Sequence, residues 1–294
     1  MPELPEAECV VRCLRGRILG STITSIWVGR CDIVRHGIDS LDWYTGAQIV
    51  EIERKGKCVV FAACRGGNTR YVVAELGMSG LLLFSKTAQP LPQHTHLILK
   101  LGGAEPEVRY WNARRFGRVH LYDRSGVDHF LNSRYGPDPL SLSFDLFASI
   151  LRGRRGRLKA LLMHQKVIAG IGNIYANEIL FDARLHPQCQ ADQLSFHEQR
   201  RLFASMNVVL RGAIAEGGSS VQNFKIPDGR RGMFQMHHLV YRKEGFACPS
   251  GCGSIIRRFT TERSSFVCVK CQRLPRRRRD GTRKLSRIVK SSNQ

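Results

Sequence analysis

The stretch that decides the C-terminal fold is 248–271, CPSGCGSIIRRFTTERSSFVCVKC, in which two cysteine pairs are separated by fifteen residues. Cys248 and Cys252 form the first pair, and Cys268 and Cys271 form the second. Two such pairs on facing turns can place four thiolates tetrahedrally around zinc. Because four thiolates leave no open position for water, the pattern predicts one structural Zn²⁺ and not a catalytic metal. A redox dithiol is the alternative interpretation.

The charge of the whole chain indicates the kind of partner. The 294 residues include 46 Lys and Arg against 24 Asp and Glu, which gives a formal net charge of +22 and a pI of about 10.2. Such a field attracts polyanions, so nucleic acid is the first candidate and an anionic membrane surface the second. No apolar run approaches the roughly 20 residues that span a bilayer, so we expect no membrane contact.

The beginning of the chain and the cysteine usage bear on location. MPELPE at 1–6 has no basic segment followed by an apolar stretch, so we predict no secretory signal and an intracellular protein. In a reducing cytosol, the six cysteines outside the cluster are expected to remain thiols.

The N-terminal half carries the pattern of a β-rich domain. Short alternating or β-branched runs separated by glycine-rich turns predict a β-sandwich or barrel. Leu4, Ala7, Val10, Val11 and Leu14 recur at helical spacing and predict a helix near the start. The predicted strands are 22–28, 48–53, 58–63, 70–75, 81–84, 96–101 and 118–122.

The second half reads as helical. Helical periodicity occurs in 144–151, 157–165, 173–183 and 195–216, and 221–235 has no clear period and is expected to be a mobile loop. The fold class predicted is therefore α+β. The predicted domains are a β-sandwich domain (1–135), a linker (136–143), a helical domain (144–236), a zinc finger (237–272) and a basic, disordered tail (273–294) with nine Lys or Arg.

The N-terminus is a second chemical candidate. If Met1 is removed, Pro2 becomes a free secondary amine beside two acids, Glu3 and Glu6. An α-amino group has a pKa near 8, so a useful fraction is nucleophilic at neutral pH. An iminium formed from a secondary amine keeps its charge and is an electron sink suited to β-elimination. Helix-capping acids at an arbitrary start are the alternative interpretation.

Seven short stretches of the sequence are informative as a combination, in the order in which they occur along the chain. They are MPELPE (1–6), RKGK (54–57), ELGMSG (75–80), RRFG (114–117), GIGNIYANEILF (170–181), GG (217–218) and RSSFVCVKCQ (263–272). Together they resemble the bacterial formamidopyrimidine-DNA glycosylases of the wider Fpg/Nei family, from Met1 to about Cys271. The resemblance implies an N-terminal catalytic domain, a helix–two-turn–helix domain over 157–185 and a zinc finger.

The resemblance also implies catalytic roles. It makes Pro2 the Schiff-base nucleophile and Glu3 the acid that assists base loss and sugar ring opening. Glu6 becomes a supporting acid in the active site. Lys57 lies where the family has a lysine at a hairpin tip, contacting the phosphates that flank the lesion.

DNA-contacting roles follow in the same way. Met78, Arg114 and Phe116 match the trio that fills the space left by a flipped nucleotide, where apolar wedges restore stacking and a guanidinium bonds the orphaned partner. The loop 219–230 matches the lesion-capping loop. The remaining DNA-binding residues implied are His96, Lys159 at the lesion pocket, Asn173 at a phosphate and Arg263 of the zinc finger.

Three positions depart from the family pattern. Asn112 and Ala113 replace the usual Asp-Pro before RRFG, and His164 replaces the acid of the LMDQ segment. The first cysteine pair has one extra residue. Because Asn112 and Ala113 precede Arg114, their change affects how the loop of Arg114 is held. We therefore expect discrimination of the base opposite the lesion to depart from the family pattern more readily than the catalytic chemistry.

The predicted function is a bifunctional DNA glycosylase and abasic-site lyase of base excision repair. It excises oxidised purines such as 8-oxoguanine and formamidopyrimidines, then cuts the strand by β,δ-elimination. One alternative is an endonuclease VIII-like enzyme for oxidised pyrimidines, disfavoured by Leu4, Phe116 and the complete 219–230 loop; another is an idle DNA-binding protein. We expect a cytoplasmic, nucleoid-associated bacterial monomer that acts on damaged double-stranded DNA with one zinc and no organic cofactor.

Overall fold

A computed structural model describes residues 2–84, 93–221 and 223–274 of the chain. Of the predicted basic tail, only residues 273 and 274 fall within these ranges, and 275–294 lie outside the described residues. Met1 and position 222 of the predicted mobile loop also lie outside them.

The chain begins with the predicted helix, α1 (Leu4–Ile18). Glu3 and Glu6 form a reciprocal capping box at its N-terminus, and a proline occupies the first turn, where no amide proton is needed. The five apolar residues that predicted the helix are all at most 1% exposed, and all except Ala7 belong to the hydrophobic cluster that α1 shares with the sheet. The helix therefore delivers both acids to one buried place.

The N-terminal half is dominated by a sheet whose nine strands follow the order β2-β9-β5-β4-β3-β1-β7-β8-β6. The strands are β1 (Thr22–Val28), β2 (Val34–His36), β3 (Gln48–Lys55), β4 (Cys58–Arg65), β5 (Asn68–Glu75), β6 (Leu81–Phe84), β7 (Thr95–Gly102), β8 (Glu107–Trp111) and β9 (Arg118–Tyr122). All seven predicted strands are present within two residues of their expected ends.

The sheet has two halves that enclose one core. They meet at β1 and β3, which share a single Cα pair, Thr22 with Gln48. Inward side chains from both halves, for example Val59 and Val108, belong to the same hydrophobic cluster as Leu4 and Leu14 of α1. The predicted α+β class is confirmed, with α1 covering this layered sheet.

Three elements of this half were not predicted from the sequence. The helix α2 (Arg124–Arg134) follows β9, starts at the Asp123 cap and buries Val127, Phe130 and Leu131. The strands β2 and β8 were also missed. β8 directs Val108 and Tyr110 into the core and buries Glu107 and Arg109 as an ion pair on its other face, so its row of buried positions does not read as apolar in the sequence.

The second half contains the four predicted helices: α3 (Phe144–Leu151), α4 (Leu158–Met163), α5 (Asn173–Asp182) and α6 (Phe196–Ala215). Ser143 and Ser195 cap α3 and α6 by accepting backbone hydrogen bonds. The helix α5 is buried nearly all round, from Ile174 to Phe181. It is therefore the central element of this half, with α4 and α6 against it.

The cysteine-containing module follows as a hairpin of β10 (Ile256–Thr260) and β11 (Ser264–Cys268). The Asn177 side chain of α5 accepts a hydrogen bond from the Phe266 amide at 2.9 Å. The Glu178 carboxylate accepts three more, from the amides of residues 239, 240 and 241. Two polar residues of the central helix thus fix the module in place.

The domain boundaries given above remain a proposal. The segment 136–143 lies between α2 and α3, and short 3₁₀ turns occupy Cys31–Ile33, Ile38–Tyr44, Ala191–Gln193 and Phe234–His237. Within the described ranges, no helix combines the length and apolar character needed to cross a membrane.

Candidate active site and nucleic-acid interface

The N-terminal residues lie against the start of α5. Pro2 and Glu3 are buried, and the Leu4 amide donates to the Gly170 carbonyl at 3.0 Å. The Glu3 carboxylate accepts hydrogen bonds from the amides of Gly172 (2.9 Å), Ile174 (2.9 Å) and Tyr175 (3.3 Å). These are the unpaired amides of a helix N-terminus, where a negative charge is stabilised.

This contact requires a glycine at position 172. A Cβ atom there would lie 2.3 Å from the Glu3 Cδ atom, far inside van der Waals contact. Gly218 has the same relation to the second acid, because its Cβ would lie 2.8 Å from a Glu6 carboxylate oxygen. The glycines of the GIGN and GG motifs therefore make room for the two carboxylates.

Glu6 is the most strongly perturbed acid of the site. Its Oε1 accepts hydrogen bonds from the Ser219 amide at 2.6 Å and from the Tyr175 hydroxyl, and its Oε2 accepts one from the Glu3 amide at 2.7 Å. Burial, followed by the nearby Glu3 charge, raises the Glu6 pKa to about 7. Glu6 can therefore gain and lose a proton near neutral pH.

Lys57 lies at the turn between β3 and β4, as the hairpin motif predicted. The Arg54 guanidinium holds this hairpin by bonding Glu8 at 2.9 Å, Asp138 at 2.6 Å and the Gly56 carbonyl at 3.3 Å. Burial lowers the Lys57 pKa, while the negative charges of Glu3 and Glu6 oppose this shift. The lysine is therefore in electrostatic contact with the N-terminal acids.

Lys159 and Arg263 meet where α4 contacts the β10–β11 hairpin. The Lys159 Nζ donates to the Ser264 carbonyl at 2.6 Å and to the Ser265 hydroxyl at 3.0 Å. Burial lowers the Lys159 pKa to about 8, and the Glu3 charge opposes this shift. Both cations, together with the exposed His164, line a cavity of about 310 Å³.

The three residues predicted to fill the space of a flipped nucleotide, Met78, Arg114 and Phe116, lie on two adjacent loops, 76–80 and 112–117; the second is called the wedge loop below. Met78 is half-buried, whereas Phe116 is 58% exposed, with the Arg114 guanidinium 5.2 Å from its ring centroid. The loops touch so closely that a Cβ at Gly77 would lie 2.5 Å from the Gly117 amide nitrogen. An exposed aromatic ring beside a guanidinium has the composition of a base-stacking wedge.

Asn112, one of the departures from the family pattern, joins these loops. Its Oδ1 accepts from the Ser79 hydroxyl at 2.8 Å, and its Nδ2 donates to the Tyr110 hydroxyl at 3.0 Å. Ser79 in turn accepts from the Arg114 amide at 3.1 Å. Fully buried Asn112 thus holds the wedge loop without the usual Asp-Pro pair.

The other two predicted DNA-contacting residues differ in exposure. The buried His96 ring bonds the Asn112 carbonyl through Nε2 at 2.9 Å, so it supports the base of the wedge loop. Asn173 is half-buried at the first position of α5, and its carbonyl accepts from the Asn177 side chain at 2.6 Å.

The four cysteines form one cluster. The Sγ atoms of Cys248, Cys252, Cys268 and Cys271 all lie within 4.8 Å of one another. A tetrahedron with Zn–S bonds of about 2.3 Å has S–S edges of about 3.8 Å, so the cluster has the size and chemistry to hold a metal ion. The extra residue in the first pair does not separate the thiols.

Several site residues were missed by sequence reasoning. Tyr175, Ser219 and His238 form a buried chain of hydrogen bonds that ends on Glu6. Tyr175 lies inside the recognised stretch 170–181 and Ser219 directly follows the glycine pair 217–218, so their position was a usable signal. His238 carried none, because nothing local distinguishes it from the neighbouring His237.

Comparison with known proteins bears on this geometry. A family model described as the formamidopyrimidine-DNA glycosylase N-terminal domain matches residues 1–119, and the H2TH domain of the same glycosylases matches residues 135–225. A formamidopyrimidine-DNA glycosylase of Solibacter usitatus is 37% identical over 276 residues, covering 93% of this chain and all of the relative. The chain belongs to the formamidopyrimidine-DNA glycosylase family.

Solved structures of formamidopyrimidine-DNA glycosylases have the same fold. The MutM (Fpg) protein of Thermus thermophilus is similar with a TM-score of 0.81 and 38% identity, covering 92% of this chain and 98% of that one. A variant of the Lactococcus lactis Fpg in complex with Fapy-dG-containing DNA has a TM-score of 0.84 and 33% identity, covering 93% and 100%. The family resemblance seen in the motifs is confirmed, and with it the assignment to DNA glycosylases of base excision repair.

Proposed function

We propose that the protein is a bifunctional DNA glycosylase and abasic-site lyase that uses Pro2 as nucleophile on oxidised purines. The observation that carries the proposal is that the Glu3 carboxylate, next to Pro2, accepts hydrogen bonds from the amides at the start of α5. In this proposal the chain-terminal amine, once Met1 is removed, acts beside the Glu3 and Glu6 carboxylates and Lys57.

The chemistry proposed begins with the Pro2 nitrogen. It attacks the sugar C1′, and the bond from C1′ to the damaged base breaks. The base takes the amine proton, the ring oxygen O4′ takes a second proton as the ring opens, and an iminium remains. Loss of a C2′ proton then expels the 3′ phosphate, and a second elimination expels the 5′ phosphate.

Each acid has a separate role in this scheme. Glu3, with its carboxylate held by three amides, assists base loss and ring opening at the sugar. Glu6 is the supporting acid, with a pKa of about 7 that suits proton exchange at neutral pH. Lys57 and Arg263 supply positive charge for the flanking phosphates.

The proposed substrate is damaged double-stranded DNA. The Lactococcus lactis enzyme is described with Fapy-dG-containing DNA, which supports oxidised purines as the lesion class. Met78, Arg114 and Phe116 are proposed to fill the space left by the flipped nucleotide, with Asn173, Lys159 and His96 at or behind the DNA surface. The net charge of +22 supports binding to the phosphate backbone.

The proposal includes one zinc ion on the four cysteines, which would hold the β10–β11 hairpin and Arg263 in place. It also includes action as a monomer without an organic cofactor. The relatives described above are bacterial, which supports a cytoplasmic location beside the chromosome.

The test is borohydride trapping with intact mass analysis of the free enzyme. The expected result is a covalent adduct on duplexes with 8-oxoguanine opposite cytosine, formed by protein that begins at Pro2. A Pro2→Gly variant is the matched control and is expected to lose most of the adduct. Preference for thymine glycol opposite adenine would assign the chain to the endonuclease VIII-like alternative. No adduct from protein lacking Met1 would leave only DNA binding.

A further inference from the structure

One buried histidine has no role in the chemistry above. His238 is 5% exposed, and its Nε2 lies 2.9 Å from the Ser219 hydroxyl. Its ring packs edge-on against Phe234 and Tyr241, with centroid distances of 5.8 and 5.7 Å. The backbone that follows His238 is held in place, because the Glu178 carboxylate accepts hydrogen bonds from the amides of residues 239, 240 and 241.

The histidine is the outer end of a continuous hydrogen-bonded chain. The Ser219 hydroxyl lies 3.1 Å from the Tyr175 hydroxyl, and Tyr175 donates to Glu6 Oε1. Glu6 Oε2 accepts from the Glu3 amide at 2.7 Å, and this amide nitrogen is three bonds from the Pro2 nitrogen. Three side chains, those of Ser219, Tyr175 and Glu6, therefore connect His238 to the N-terminal segment.

The chain of hydrogen bonds has one consistent direction. Each hydroxyl has a single proton, so a Tyr175 that donates to Glu6 can only accept from Ser219. Ser219 must then accept from His238, which makes His238 the Nε2–H tautomer. All three donors thus point from the histidine toward the carboxylate.

The His238 end of this series of hydrogen bonds reaches a cavity. His238 lines a space of about 480 Å³ together with Met236, Leu239, Lys243 and Phe246. Within the described ranges, the His238 ring makes its protein hydrogen bond through Nε2. The second ring nitrogen, Nδ1, is then the atom that can exchange a proton with water in this cavity. A proton can therefore enter at Nδ1 while another leaves at Nε2.

We propose that His238, Ser219, Tyr175 and Glu6 form a proton relay that reloads Glu6 from water in this cavity. One proton binds His238 Nδ1, the Nε2 proton moves to Ser219, the Ser219 proton to Tyr175, and the Tyr175 proton to Glu6. Every group except Glu6 ends neutral as it began, and Glu6 becomes a neutral carboxylic acid.

This relay rests on the proposed function, which consumes one proton for each Schiff base. The leaving base takes the Pro2 amine proton, so the proton on O4′ must come from the enzyme. Glu6 is the store for that proton. After it is spent, the hydroxyls rotate back and His238 returns to its first tautomer.

The charges around His238 and Glu6, the two ends of the relay, are consistent with proton transfer between them. Burial and the positive charges of Lys243 and Arg242 lower the His238 pKa to about 4, so the ring is neutral and can both accept and donate at neutral pH. The groups that act on Glu6 besides Ser219 are Glu3, Tyr175, Lys57 and Cys9. Their balance leaves Glu6 able to hold and release the proton.

The experiment measures Glu6 protonation directly in the full, zinc-loaded chain. Stopped-flow infrared spectroscopy follows the protonated carboxyl band after a pH jump from about 1.5 units above the Glu6 pKa to about one unit below it. The band that is absent in Glu6→Gln is assigned to Glu6. Circular dichroism of each variant shows that it is folded.

The variants separate a relay from a structural role. In His238→Gln the amide can still donate to Ser219 but cannot carry a proton through, and in His238→Leu the hydrogen bond to Ser219 is removed. In both variants we expect the rate at which Glu6 is reprotonated to be lower than in wild type by on the order of tenfold or more. We expect the same result for Ser219→Ala. The control is His129→Leu, at an exposed histidine of α2 that does not line this cavity, and it should reprotonate Glu6 at the wild-type rate.

Two results would overturn the relay. One is a wild-type reloading rate in folded His238→Leu and His238→Gln. The other is a wild-type rate in His238→Gln alone, which would make the histidine a hydrogen-bond support for Ser219. In the matching activity assay, enzyme pre-equilibrated at the higher pH should show a lag in strand cleavage only in the relay variants. A wild type that forms no borohydride adduct would refute the proposed function, while the infrared result still decides the relay.

Discussion

The Asn112 side chain accepts a hydrogen bond from the Ser79 hydroxyl at 2.8 Å and so ties the loop of Met78 to the loop of Phe116. Replacing the fully buried asparagine in Asn112→Ala removes this bond and the one to Tyr110. We expect a loss of about 1–3 kcal/mol in the free energy of unfolding, since buried polar groups lose their partners. Discrimination of the base opposite the lesion should also fall.

Urea unfolding and excision rates with each opposite base measure these effects. The control is Asn207→Ala on α6, where the partly exposed side chain donates only to the Phe203 carbonyl of its own helix. Equal stability losses in the two variants would show that the loop tie contributes nothing specific.

Gly172→Ala tests the seating of Glu3. The added Cβ would lie 2.3 Å from the Glu3 Cδ atom, so either the carboxylate or the helix start must move, at a cost of about 1–3 kcal/mol. We expect the borohydride adduct to fall sharply. Gly16→Ala is the control, because this exposed position in α1 has nothing within 4 Å of the new atom and should gain about 0.5–1 kcal/mol. Normal trapping by Gly172→Ala would contradict the assigned role of the Glu3 contact.

The pH dependence of stability should report Glu6. Its pKa rises from 4.5 in the unfolded chain to about 7 in the fold, so the folded state binds the proton more tightly. The contribution to stability is complete below pH 4.5 and is lost as the pH rises through 7, by roughly 3 kcal/mol. His238 has the opposite sign, since its lowered pKa reduces stability as the pH falls from 6.5 toward 4.

Comparing wild type with Glu6→Gln isolates the Glu6 contribution, because the other titrating groups are common to both proteins. The difference in unfolding free energy between them should change with pH over this window. A flat difference would mean that Glu6 titrates near its ordinary pKa.

Metal content should be one zinc per chain, and Cys268→Ser should lose it. Without the metal the β10–β11 hairpin loses its support, and with it the hydrogen bonds of Lys159 to Ser264 and Ser265. DNA affinity is expected to drop while the helical circular dichroism largely remains. Cys31→Ser, at an exposed cysteine outside the cluster, is the matched control and should keep the metal. Full zinc content in Cys268→Ser would rule out the four-cysteine site.

Removing the basic tail should weaken the salt dependence of DNA binding. The deletion should start after residue 274, because the Gln272 side chain is buried and bonds the Leu185 carbonyl at 2.9 Å. Residues 275–294 carry eight Lys or Arg and one Asp, and the slope of log K against log salt falls by about 0.9 for every phosphate that the shortened chain no longer neutralises. Single-turnover excision at saturating enzyme should be unchanged. A decrease in that rate would show that the tail supports the fold or the chemistry.

The elements predicted well are those whose sequence period matches their burial. The helix α1 and strands such as β4 bury residues at the spacing that predicted them. The strand β8 was missed because its buried positions include Glu107 and Arg109, which pair with each other inside the protein. The helix α2 was missed because its three buried side chains are too few for a clear period.

The residues of the candidate site divide in the same way, into those that sequence motifs predicted and those that they did not. The acids, the hairpin lysine and the four cysteines come from motifs with recognisable spacing, and the structure brings all of them into two compact groups. His238 and Asn112 act through partners that are more than fifteen positions away, so no local pattern identifies them.

The sequence alone determined the class of fold, the cysteine cluster and the family, because these depend on periodicity, spacing and motif order within the chain. Only the tertiary structure decided that the Glu3 carboxylate rests on amides 169 or more residues away, that burial raises the Glu6 pKa, and that His238 is joined to it. The reason is physical: hydrogen bonding and desolvation depend on distances in space, and folding brings together groups whose separation along the chain carries no information about those distances.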